Sequence, residues 1–280
     1  PILDNTLNMM SDFRSIQPHL YFQQCLEQKK TRPDGRKLNQ TRPVALTIGS
    51  LNTADGSAVV KVGNTTVICG VKAEICPPKE GSPEDGFVIP NVELPPMCSS
   101  KFKPGPPSEQ AQISSQLMLE LLENSKMINP VDLSIQKGKY VWILYVDMIC
   151  LDYDGNLIDA CVTAMVTALK DTKLPKASWN EKDGLLVDPK DKDCLPILNF
   201  PVSTSFCIFN EQILIDPTRE EEQLSTGSMS IVINSDDSLC SLHKPGGSPL
   251  HPDKLAMCIK EARNITQVTR KLYEETQKLE

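Results

Sequence analysis

The chain is poor in the residues from which most metal and nucleophile sites are built. Histidine occurs three times in 280 residues and tryptophan twice. His19, His243 and His251 lack the spacing of metal ligands, which argues against a zinc centre. No CxxC pair, no GxSxG nucleophile elbow and no glycine-rich P-loop is present. No apolar run reaches the roughly 18 residues of a membrane-spanning helix, and the chain opens without the basic-then-apolar pattern of a secretory leader. Neither membrane insertion nor secretion is therefore expected. Positive charge is also in deficit: 29 Lys and Arg against 36 Asp and Glu leave a net charge of −7. That balance excludes a highly basic nucleic-acid coat protein. It does not exclude a local RNA groove, because such binding depends on where the cations lie.

What the chain has is a core. Apolar residues make up 40% of it, too many for a disordered segment. Its length is close to twice the roughly 150 residues usual for a domain, which fits one large domain or two intimately packed ones. Ten cysteines are spread from Cys25 to Cys258. Cys69, Cys150, Cys161 and Cys207 sit within apolar segments, where a thiol acts as a small hydrophobe, so free thiols and a reducing compartment are expected.

Periodicity organises the chain into two runs of strands followed by helices. Ile16, Leu20, Phe22 and Leu26 predict a leading helix with Pro18 in its first turn, ended by the polar run through Pro33, Asp34 and Gly35. From Val44 the period becomes two: Val44, Leu46 and Ile48, then Ala58, Val60 and Val62, then Val67, Cys69 and Val71 describe an antiparallel meander. Residues 77–107 are rich in Pro, Gly and charge, interrupted by Phe87-Val-Ile89, and read as a long surface excursion. Ser108 opens a helix with a stripe of Ile113, Leu117, Met118, Leu121 and Leu122. Tyr140 to Asp152 is apolar on both parities, as a strand buried on both faces would be, and 158–170 reads as a second covering helix. Residues 175–196 are polar and prolyl, which suggests a boundary or exposed crossing. Two hairpins follow, 202–209 with 213–215 and 229–233 with 239–242. A long helix from Pro252 then carries the stripe Leu255, Ile259, Ala262, Ile265, Val268 or Thr269, Leu272 and Thr276. The class is α+β with a possible internal duplication.

Candidate chemistry is sparse. Asp147, Asp152, Asp154 and Asp159 do not share a face, and Asp152 and Asp154 suit a turn in which Asp satisfies backbone donors. Asp216, at a strand end before Arg219-Glu-Glu-Glu222, could offer oxygen ligands to a divalent cation. Consecutive glutamates also describe a solvated turn, since neighbouring side chains diverge, and no metal site is assigned. Lys244-Pro-Gly-Gly-Ser248 is either an anion cradle or a loop that touches a neighbour. Lys101-Phe-Lys103 places two ammonium groups about an aromatic, a weak signal for a nucleic-acid backbone.

Several motifs occur in order along the chain: Arg32-Pro-Asp-Gly-Arg36, Gly56-Ser-Ala58, Val62-Gly-Asn-Thr-Thr-Val67, Asp154-Gly-Asn156 leading into Ala160 and Ala164, and Leu214-Ile-Asp-Pro-Thr218 with Glu221-Glu222. In this order and spacing they resemble the RNase PH domain family from residue 32 onward. The segments Val88 to Phe102 and His243 to Ser248 resemble, more narrowly, the non-catalytic RNase PH-like ring subunits of the eukaryotic RNA exosome.

The resemblance implies an RNase PH-like fold of two related halves, of the ribosomal protein S5 domain 2-like type, with strand meanders covered by helices. It divides the chain into an N-terminal helical extension (1–31) and the RNase PH-like domain (32–280). That domain comprises a first half to about 175, a polar crossing over 176–196 and a second half from about 197. It further implies a six-domain ring around a pore that admits single-stranded RNA. The expected partners are other RNase PH-like subunits, S1/KH-type cap subunits and associated nucleases, and the expected location is the nucleus, nucleolus and cytoplasm. No cofactor is expected.

Active members grip phosphate with arginines. Here the corresponding loop has Lys101 and Lys103 as RNA-contact candidates, and Asn156, Asp216, Glu221 and Glu222 mark a degenerate active-site region. Paired guanidiniums oppose the repulsion between phosphate and RNA in a way that scattered lysines do not, so no catalytic residue is assigned. Phe87, Met97 and Phe102, together with the leading helix and the 77–107 excursion, are the interface candidates. A nuclease completed by a partner's arginines, and a scaffold without RNA contact, are the alternatives.

Overall fold

The structure, a computed structural model, describes residues 14–180 and 184–277, apart from the side chains of residues 28, 29 and 274–277. The expected positions 1–13 of the N-terminal extension and Thr276 of the last stripe therefore lie outside what can be compared. The first half is a sheet of order β1-β2-β3-β6-β4, with β1 at Val44–Ile48, β2 at Gly56–Val62, β3 at Thr65–Cys76, β4 at Phe87–Glu93 and β6 at Tyr140–Asp152. The short β5 (Ser134–Gln136) pairs with β6. The meander is antiparallel as the alternation predicts, whereas β4 runs parallel to β6.

That parallel strand corrects the reading of 77–107 as a surface excursion: the apolar string at Phe87 is a sheet strand, with Val92 buried. A second correction concerns β6. Its burial alternates, with Val141, Leu144, Val146, Met148 and Cys150 buried, while Ile143, Tyr145 and Ile149 on the other face are half-exposed. β6 is central in the sheet but covered on one side only.

Two helices supply that cover. Helix α2 (Glu109–Ser125) starts where Ser108 accepts a hydrogen bond from the Ala111 N–H, a side-chain cap for one of the orphan donors at a helix start. Leu117, Met118, Leu121 and Leu122 are buried as expected, but Ile113 is half-exposed. Helix α3 (Leu157–Asp171) is buried nearly all round, which a helix tolerates only between two layers. Its small residues let β2 approach closely. A Cβ added at Gly56 would lie 2.6 Å from the Ala168 carbonyl oxygen and 2.7 Å from Thr172 Cα.

The other layer is the second sheet, of order β10-β9-β11-β12, with β9 at Val202–Phe209, β10 at Gln212–Ile215, β11 at Gly227–Ile233 and β12 at Leu239–His243. Every residue of β9 is buried because both faces are covered. Phe206 packs with Met229, Ile231, Cys258 and Ala262 beneath the last helix, α5 (Pro252–Gln277). Cys207 and Phe209 pack on Phe22 and Leu26, from the leading helix α1 (Pro18–Gln24) and the π-helical turn after it. The inner face of the leading helix is thus occupied by its own chain. Along α5 the buried line is Cys258, Ala262, Thr266 and Tyr273, with Leu255, Ile259, Ile265, Thr269 and Leu272 flanking it and Val268 exposed.

Between the halves, where the polarity of 175–196 suggested a boundary or exposed crossing, β7 (Lys173–Asn180) and β8 (Gly184–Cys194) form a separate antiparallel hairpin. None of the ten cysteines is paired, and Cys69, Cys150, Cys161 and Cys207 are buried with thiol pKa values pushed up by desolvation.

Phe102 turns inward. It is 6% exposed and meets Tyr153 edge-on with ring centroids 5.6 Å apart, so it belongs to this chain's core and is not a free interface residue. Met97 is 73% exposed and Phe87 is half-buried. Phe102→Ala should lower unfolding stability in urea by about 3–5 kcal/mol. Met97→Ala should leave it within about 0.5 kcal/mol. Equal effects of the two would contradict this packing.

Candidate functional site

Three segments meet where the halves join: the chain entering β1, the Asp154-Gly-Asn turn before α3, and the link from β10 into α4 (Arg219–Leu224). Gly155 permits the meeting. At φ +76° it lies so close to the link that a Cβ would stand 2.5 Å from the Arg219 nitrogen and 2.8 Å from the Pro217 oxygen.

Asp216 is the centre. Its backbone sits in the left-handed region at φ +51°, unusual for a residue other than glycine, and its side chain is buried. Arg42 closes on it with Nη2 2.7 Å from Oδ1 and Nε 3.0 Å from Oδ2, and the Arg42 backbone N–H donates to Oδ2 at 2.7 Å. Asn156 Nδ2 donates to Oδ1 at 2.6 Å, and Arg36 Nη1 lies 3.3 Å from Oδ2. Arg42 also donates to the Asp154 carbonyl at 2.9 Å, which ties the turn to the same hub. Burial alone would raise the Asp216 pKa. The hydrogen bonds and charge of Arg42 outweigh it and hold the carboxyl below its ordinary range.

The three consecutive glutamates diverge. Glu220 faces outward to Arg14. Glu221 turns inward because it completes a capping box, accepting from the Thr218 N–H at 2.8 Å. There it also meets Arg32, with Nη1 3.4 Å from Oε2. Burial raises Glu221 and lowers Arg32 despite their attraction, so this pair is held at a cost in desolvation.

Glu222 reaches across to the first half. Its Oε1 accepts the Asn156 backbone N–H at 2.7 Å and its Oε2 accepts the Tyr153 hydroxyl at 2.7 Å. Asn156 precedes the first turn of α3, so an anionic side chain of this chain sits where the helix presents its positive end. Gln110 lies 3.5 Å from the same hydroxyl and accepts from Lys101 Nζ at 2.9 Å. Burial raises the Glu222 pKa.

The structure thus gathers Lys101, Asn156, Asp216, Glu221 and Glu222 at one junction. Lys103 is exposed beyond it on the same loop, and Phe87 and Met97 take no part in the network. Sequence reasoning missed Arg42 and the roles of Arg32 and Arg36. The signal for Arg42 was thin, a single arginine before Pro43 whose carboxylate lies 174 residues away. Asp159 links the junction to the second sheet, accepting from Asn156 Nδ2 at 2.8 Å, from Ser203 Oγ at 2.7 Å and from the Ser205 N–H at 2.8 Å. Lys244 folds back onto the Gly246 carbonyl at 2.6 Å. Among the described residues, no three His, Cys, Asp or Glu side chains converge as metal ligands.

The chain matches the models of the 3′ exoribonuclease family, domain 1 over residues 40–175 and domain 2 over residues 199–265. It belongs to the RNase PH family. Similar proteins include exosome complex component rrp43 of Schizosaccharomyces pombe, 41% identical over 91% of this chain and 94% of that protein. Exosome complex component Rrp42 of Methanothermobacter thermautotrophicus is 38% identical over 82% of this chain and 84% of its own. A solved structure described as the Archaeoglobus fulgidus exosome with RNA bound to the active site superposes with a TM-score of 0.83 at 32% identity, covering 91% of this chain and 97% of its own. The α+β RNase PH-like fold inferred from motif order is borne out by these matches.

The two carboxylates of this RNase PH site should respond oppositely to substitution. Asp216→Asn leaves the buried Arg42 without its close charge partner and should cost about 3–5 kcal/mol at pH 7. Because the folded pKa is depressed, Asp216 stabilises above the ordinary aspartate pKa, and the difference from wild type should shrink as pH falls through the depressed value. Glu222 has a raised folded pKa. Its titration therefore favours the fold below the ordinary glutamate pKa, and that advantage is lost as pH rises through the raised value. Glu222→Gln keeps an acceptor and removes a buried charge, so it should be neutral or stabilising at pH 8. Urea titrations from pH 3 to 8 check both signs.

Proposed function

We propose that this chain is a non-catalytic RNase PH-like ring subunit of an exosome, which closes the ring and lines part of its RNA channel while neighbouring subunits or associated nucleases do the chemistry. The observation that carries this reading is the position of Glu222. Phosphorolysis needs inorganic phosphate beside an RNA phosphate, and here the N–H of Asn156, the residue that leads into α3, is already taken by the Glu222 carboxylate. Three nearby guanidiniums, those of Arg32, Arg36 and Arg42, are spent on Asp216 and Glu221. The loop at 101–103 offers ammonium groups, which lack the planar fork that binds phosphate in a bidentate way. The groups that would bind the anion the reaction requires are therefore already engaged within the chain.

Membership of a ring is supported by the exosome relatives in sequence and structure. We extend the reading to RNA contact through Lys101 and Lys103, both exposed. We also extend it to S1/KH-type cap subunits and nucleases as further partners, and to the nucleus, nucleolus and cytoplasm as the site of action in 3′-to-5′ RNA processing and degradation.

The isolated chain, supplied with phosphate and magnesium or manganese, should leave an end-labelled RNA at full length. Phosphate-dependent shortening would overturn the non-catalytic reading. In a reconstituted ring, Lys101→Ala with Lys103→Ala should reduce the salt dependence of single-stranded RNA binding by roughly 0.7 per lost contact. An unchanged slope would remove these lysines from the RNA path.

A further inference from the structure

The β7–β8 hairpin packs on the first half through Leu174, Ala177 and Trp179, and β8 is left to solvent. β8 extends over Gly184–Cys194, and from Leu186 to Cys194 every residue is exposed. Among the described residues no further strand pairs with the hairpin, which leaves an open edge and an open face. The protective features of an exposed edge are unevenly placed. The register jumps between Pro175 opposite Lys192 and Lys176 opposite Asp188, which throws Pro189-Lys190-Asp191 out as a bulge. The stretch from Leu185 to Asp188 has neither proline nor lysine and stays regularly paired.

Beside that stretch lies a groove of about 800 Å³ between the hairpin and the end of the first sheet. Its apolar wall includes Ile135, Trp142, Leu186 and Val187, and the last two are 46% and 40% exposed. Its polar wall holds Asp132, Asp188, Asp191 and Asp193 against Lys176. Lys176 is already shared between Asp191 at 2.7 Å and Asp193 at 3.6 Å. The groove therefore joins an apolar floor, an open strand edge and a surplus of negative charge.

We infer that this groove docks an extended segment of a partner polypeptide bearing Lys or Arg beside an apolar residue. The apolar residue packs on Val187, which shares the inner face of the hairpin with its partner Ala177, the cations answer the aspartates in excess over Lys176, and the backbone can add to the hairpin edge. The same lining, four aspartates to one lysine, disfavours RNA phosphates in the groove. The site is separate from the junction of Asp216 and Glu222, and it holds whether or not the chain contacts RNA elsewhere.

The test uses the full chain, free and in a reconstituted ring, with three fluorescein-labelled heptapeptides: Gly-Lys-Leu-Lys-Leu-Lys-Gly, the same peptide with Glu for Lys, and the same with Ser for Leu. Fluorescence anisotropy should show binding of the first in both states. The Glu and Ser peptides should bind at least about tenfold more weakly, because each removes one half of the complementarity. Asp132→Asn with Asp188→Asn, and separately Leu186→Ser with Val187→Ser, should each weaken the first peptide by about tenfold while circular-dichroism melting stays unchanged. Equal binding of the Glu peptide, no binding of any peptide, or unchanged binding by both variants would overturn the proposal. So would displacement of the peptide by RNA, or loss of binding on ring assembly, which would give the groove to a ring neighbour.

Discussion

The buried contact between Arg42 and Asp216 constrains more of this molecule than any other single interaction. It joins the segment that leads into the first strand to the residue that follows β10, and through the Asp154 carbonyl it also fixes the turn that launches the most buried helix. A buried pair of this kind rarely adds much net stability over an apolar pair of the same shape, yet removing one partner is expensive because it leaves a charge unpaired. Its consequence is geometric. The two halves can close in one way that satisfies both groups, and Asp216 accepts a left-handed backbone conformation, itself costing about 1–3 kcal/mol, to do so.

Around that contact the carboxylates separate by environment. Asp216 is bound by a guanidinium and stays ionised readily. Glu221 and Glu222 are pushed upward by burial, which their hydrogen bonds only partly offset. An RNase PH domain with its guanidiniums free could direct that charge at an incoming phosphate. Here the same charge is directed inward and converted into rigidity between the halves. The engagement of the guanidiniums and the joining of the two halves are thus two effects of one arrangement.

Period-two alternation and helical stripes located most strands and helices, because local side-chain patterns report directly on which face is covered. Where the pattern was misleading, the cause is physical. The hairpin at 173–194 read as an exposed crossing because β8 is solvated at most positions and carries no apolar alternation, although Pro175, Ala177 and Trp179 alternate along β7. β4 looked like a loop because Pro90 and Asn91 break the strand signature, although the Val92 N–H finds the Ser115 hydroxyl at 2.9 Å. Phe102 read as an exposed token between two lysines, and only the tertiary approach of Tyr153 makes it core. The candidate site was half legible: Asn156, Asp216 and Glu222 could be named from motifs, but the arginine that organises them is remote in sequence and unmarked by any local pattern.

The surplus of negative charge also divides in a way that bulk composition conceals. The acids at the junction are either neutralised by arginines or withdrawn from solvent, so they contribute little to the field outside. Those of the hairpin are exposed, and at an ionic strength near 0.15 M their influence extends only about 8 Å, which makes their effect local to the groove they line. Lys101 and Lys103 project from a different segment, between β4 and α2. A chain with a net charge of −7 can therefore present a cationic edge to one partner and an anionic groove to another without either field cancelling the other, because screening keeps them apart.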